Sequence, residues 1–163
     1  MYTACQEALI KVLKAAGCGK EPFISKKRME LSGESRVSAV LCEEDAVERS
    51  AGRKFYTAED GRGHKRKKLY DRNIAFSVVI GDYDFEKAEK TYENFLRELP
   101  AGIYADGNYI TIEPSNAQWM GEKDHILNAK VAVQLMVNCH GGLYKDSDTV
   151  KLKDVEVTTG KET

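Results

Sequence analysis

The chain has 163 residues, 42% of them hydrophobic and 31% charged, with a formal net charge of −1. That composition suits one domain with one core and excludes a disordered chain. Its longest apolar run falls far short of a membrane span, and no basic segment leading into an apolar one opens it, so neither a membrane helix nor export is expected.

The opening "TACQEALIKVLKAAG" predicts an amphipathic helix, with Cys5, Ala8, Leu9, Val12 and Ala16 on one face. Thr3 and Gln6 fit a capping box, and Gly17 suits the left-handed residue that ends a helix. "SKKRMELSGESR" is polar and without period, and reads as a loop. "RVSAVLCEE" alternates as a half-buried strand, the acidic "EEDAVER" reads as a turn or a short helical piece, and "GRKFYTAED" as a strand.

"YDRNIAFSVVIGDY" is the strongest strand pattern: Ile74, Phe76, Val78 and Ile80 share one face, and the other face is scarcely more polar, so it is expected to be central. "DFEKAEKTYENFLRELPAG" predicts a second helix, capped by Asp84 and ended by Pro100 and Gly102. Phe85, Ala88, Tyr92, Phe95, Leu96 and Leu99 form its apolar stripe. A short strand follows at Tyr109–Glu113, then an irregular connector holding Trp119. "NAKVAVQLMVNCHGG" alternates as a closing strand, with Val131, Val133, Leu135, Val137 and Cys139 facing one way. The fold class expected is α+β: a mainly antiparallel sheet, two helices packed on one face and a long flexible hairpin loop.

That loop is "GRGHKRKKLYDRN", residues 61–73. Arg62, Lys65, Arg66, Lys67, Lys68 and Arg72 face only Asp71, while the rest of the chain carries 19 Lys/Arg against 25 Asp/Glu, a balance of −6. Two glycines and two flanking strands predict a mobile hairpin tip that docks on an acidic partner or lines a channel carrying DNA.

Catalytic chemistry finds little support. His64, His125 and His140 are too separated for a relay, and the neighbours Cys139 and His140 point to opposite faces of a strand. Asp82, Asp84 and Glu86 look like metal ligands, but two of them fall where a helix start favours acids for its own sake. Cys5, Cys18, Cys42 and Cys139 form no CxxC pair, so reduced thiols, buried as small hydrophobes, are expected in a reducing cytoplasm. No phosphate loop or nucleophile elbow occurs, and no enzyme, cofactor or metal is expected. Trp119 reads either as an interface anchor or as the residue pinning its connector to the core.

The succession of helix "TACQEALIKVLKAAG", strand "NIAFSVVIGDYD", helix "FEKAEKTYENFLRELP", strand "YITIEP", the Trp119 connector and strand "AKVAVQLMVNCHGGLY" resembles the tail-terminator, or tail-completion, proteins of long-tailed bacteriophages. The resemblance lies in order and spacing and spans residues 3–144. It implies a tail-terminator-like domain at 1–145 and a partly flexible extension at 146–163. It further implies a homo-oligomeric, hexameric ring that caps the tail tube and joins it to the head or neck connector. Such a subunit sits at the head-proximal end of the virion tail, after assembly in the host cytoplasm, with non-specific contact to passing DNA. The segment 42–73 is longer than in the smallest members, and the extension after Gly142 departs from them too. The alternative is a nucleic-acid-binding accessory domain using residues 62–72, with Tyr70 beside them.

Overall fold

A computed structural model describes residues 1–57, 63–121 and 131–148; within these, 54–57, 63, 64 and 148 are described for their backbone alone. Helix α1 spans Tyr2–Ala15 and buries Cys5, Leu9, Val12 and Leu13. It starts two residues earlier than the capping box requires, with Met1 at the cap position and no side-chain cap. Thr3 is therefore inside the helix, and Gln6 instead donates to the Val40 carbonyl at 3.4 Å. Its end is as expected: Gly17 has φ +98°, the Gly17 amide donates to Lys14 O and the Cys18 amide to Leu13 O. Those two bonds satisfy carbonyls that the last turn leaves open.

Among the described residues six strands form one antiparallel sheet: β1 (Val37–Arg49), β2 (Arg53–Thr57), β3 (Gly63–Asp82), β4 (Gly102–Ala105), β5 (Asn108–Met120) and β6 (Val131–Asp148). The order is β1-β3-β6-β5-β4, with β2 also paired to β3. Strand β3 is central, as its two apolar faces require, and lies between β1 and β6. Helix α3 (Phe85–Glu98) is capped by Asp84, whose carboxylate accepts from the Glu86 amide at 3.1 Å.

Helices α1 and α3 cover one sheet face. There Leu9, Leu13, Phe76, Phe95, Val133 and Leu135 are buried together. Each such side chain contributes about 1.5–3 kcal/mol through apolar area removed from water, so this cluster holds the fold. The α+β class and the helix pair on one face are thus as the sequence predicts.

Three local expectations change. "SKKRMEL" is not loop but includes a six-residue helix, α2 (Lys26–Leu31), on the opposite sheet face. There Met29 packs with Val37, Ala39, Leu41, Val79 and Phe23. "EEDAVER" is neither turn nor helix but the second half of β1, and the Trp119 segment is β5 rather than connector. A hairpin precedes that strand: β4 and β5 meet at Asp106 (φ +51°) and Gly107 (φ +71°), the two left-handed residues of a tight hairpin turn. Strand β6 runs on to Asp148, and residues 149–163 lie outside the described residues.

Candidate functional site

The basic run is strand, not a hairpin loop, over its described part. Residues 63–72 pair with β2 through Gly63–Lys67 and with β6 from His64 onward. The run projects beyond the core: on β3 the first buried side chain is Ile74, and on β6 the last is Cys139. Ten residues of strand extend about 30 Å, so β2, the first half of β3 and the end of β6 make a three-stranded arm. Arg62 and the hairpin tip lie outside the described residues.

Several of the basic groups are held within the subunit. Arg66 forks onto Asp146, with Nε–Oδ1 at 2.7 Å and Nη2–Oδ2 at 2.8 Å, and its Nη1 donates to Gly107 O and Asn108 Oδ1. Arg72 makes the same bidentate contact with Asp45, at 2.8 and 2.5 Å. That guanidinium holds the Asp45 carboxyl below the usual carboxylate range, and Asp45 in turn raises Arg72. Lys68 pairs with Asp71, whose carboxyl it pulls down, and also lies near the Tyr144 ring. Lys65 stands opposite Ser147, and Lys67 is exposed. Over its described part, then, the run pairs Arg66 and Arg72 across strands and Lys68 along its own strand, while Lys67 stands exposed.

Trp119 sits on β5 opposite Val133 and reaches α3. Its ring lies 5.1 Å from Phe85 and meets Tyr92 edge-on at 5.7 Å. It ties β5 to the helix, and 38% of it stays exposed, beside Phe85 at 52%. Phe85 and Leu96, read as buried stripe, are both exposed.

A second apolar surface lies across the molecule. Ile10 of α1, the segment Pro22–Ile24 and Leu31 of α2 line a groove of about 660 Å³. Leu31 is 75% exposed there. Phe23 fixes the groove wall by bridging to β1: its amide donates to Ser38 O, and the Val40 amide donates to its carbonyl, both at 2.8 Å. Nothing in the sequence pattern singled this groove out, because α2 is too short to show a period.

Asp82 accepts from the Tyr83 and Asp84 amides and pairs with Arg36 at 3.3 Å, which fixes the turn between β3 and α3. His140 lies on the sheet face away from α1 and α3, 3.5 Å from Glu113. Cys5 and Cys139 are buried side by side; the hydrogen bond between them and burial push the Cys139 thiol up. Cys42, expected on a buried face, is exposed, since β1 bulges between Cys42 and Glu44 as it leaves the core. Among the described residues all four cysteines are free thiols, and no three His, Cys, Asp or Glu side chains converge as a metal site would require.

No helix of the described residues is long and apolar enough to cross a membrane. No protein-family model matches the chain, and no curated protein matches it.

Proposed function

We propose that the chain is a ring-forming structural subunit of a phage tail, or of a tail-like particle, that caps the tail tube and connects it to the neck. The observation that carries this reading is the pair of unlike apolar surfaces. A closed ring built head to tail needs two different complementary patches on each subunit. The Trp119–Phe85 patch is on β5 and the Leu31 groove lies against β1, three strand spacings apart in the sheet order. At about 4.8 Å per spacing, they lie about 14 Å apart across the sheet, which leaves each open to a different neighbour. Exposed aromatic anchors are also the side chains on which interface energy concentrates. The order of helices and strands that carries the resemblance supports the same reading.

Native mass spectrometry of the full chain, alone and with purified tail tubes, tests it. The expected species is a closed hexamer, formed alone or templated by the tube end. Trp119→Ala and Leu31→Asp should each abolish the ring. Mixed together, the two variants retain one complementary pair of patches and should give dimers only. A chain that stays monomeric with tube ends present, or a symmetric dimer through one patch, would overturn the reading.

A further inference from the structure

Strand register on the arm gathers three basic side chains that chain order keeps far apart. Lys67 of β3 stands directly opposite Arg53 of β2 on one side and Lys145 of β6 on the other. Residues in direct register project to the same face, so Arg53, Lys67 and Lys145 form one row across the arm. All three are exposed, and none makes an ion pair or side-chain hydrogen bond with another of the described residues.

Like charges directly opposite each other destabilise a sheet. Neighbouring strands are about 4.8 Å apart, so the row sets three positive charges within about 10 Å. The opposite face of the same arm is arranged differently, with Arg66 neutralised by Asp146 and Lys68 by Asp71. Acids thus balance one face, while among the described residues no acid pairs with the Arg53–Lys67–Lys145 row.

We propose that this row binds the phosphate backbone of duplex nucleic acid without reading its sequence. The chemistry favours phosphate over an acidic protein surface, because lysine is depleted at the centre of protein interfaces whereas Lys and Arg supply the backbone contacts to nucleic acid. Duplex DNA carries one charge per about 1.7 Å of axis, so a row about 10 Å long meets several phosphates. The site differs from the run at 62–72: two of its three members lie outside that run, and Arg66, Lys68 and Arg72 are not part of it. The proposal does not rest on ring formation.

Fluorescence anisotropy with a labelled 20-base-pair duplex, titrated with the full chain between about 50 and 200 mM salt, tests it. Three phosphate contacts predict a slope of log K against log salt of about −2.7. Lys67→Gln should lessen that slope by about 1, and the triple change Arg53→Gln, Lys67→Gln, Lys145→Gln should remove binding. Lys87→Gln, an exposed charge on α3, should alter neither. Thermal melting reports on folding separately: relieving the like charges should leave the triple variant at least as stable as the parent. Three results would each overturn the proposal. They are no duplex binding at about 50 mM salt, equal binding by the triple variant, and slower sedimentation of the triple variant than of the parent without DNA, which would make the row a contact between copies.

Discussion

Arg72 shows how far a single residue's role depends on where the sheet puts it. In sequence it is one cation among six in residues 61–73; in the fold it closes a two-pronged contact with Asp45, 27 positions away. Asp45 therefore has a lower pKa folded than unfolded, where about 3.9 is ordinary. A depressed carboxylate contributes stability that is present above the unfolded value and is lost as pH falls through the folded value. Asp45→Asn should cost about 0.5–1 kcal/mol at pH 7, the scale of a partly exposed pair, and almost nothing at pH 2. Urea unfolding at the two pH values checks this; an unchanged difference at pH 2 would mean the asparagine acts through something other than charge. The cations themselves were legible in the sequence. Their partners were not, because Asp45 and Asp146 meet Arg72 and Arg66 only through strand register, which composition does not encode.

Among the elements, legibility followed burial. The alternation of Ile74–Ile80 and of Val133–Cys139 reports a buried face, and both segments are strand as expected. The distal halves of β1 and β5 bury almost no side chain, so they carry no period and read as turn and connector. Their pairing with β3 and β6 makes them strands. The Asp106–Gly107 hairpin was a missed signal, since Asp-Gly between alternating residues is a strong marker for that turn. Register also imposes close approaches, one of them at Gly142: a Cβ there would lie 2.7 Å from the Tyr70 carbonyl oxygen, beside the β3 bulge. Gly142→Ala should therefore cost about 1–3 kcal/mol, as overpacking does. Gly121→Ala, with nothing within 4 Å among the described residues, should be neutral or slightly stabilising. Equal unfolding midpoints for the two variants would show that the strands can part at no cost.

For the molecule as a whole, the described residues divide into a packed body and an arm held by surface contacts. The body has its two unlike apolar patches, and the arm its unbalanced basic row. Burial ends at Ile74 and Cys139, and beyond those residues the strands are joined by backbone hydrogen bonds and partly exposed ion pairs. Segments with few buried apolar contacts open at a fraction of the global unfolding free energy. Amide hydrogens on residues 65–71 and 142–147 should therefore exchange with deuterated solvent well before those of 74–80, through fraying that leaves α1 and α3 in place. Exchange mass spectrometry on the isolated subunit would show two protection tiers divided near residue 73; a single tier would mean that arm and body unfold together. A body that stays folded while its arm unzips gives the protein a segment free to rebuild its strand pairing against whatever it meets, without risking the rest of the fold.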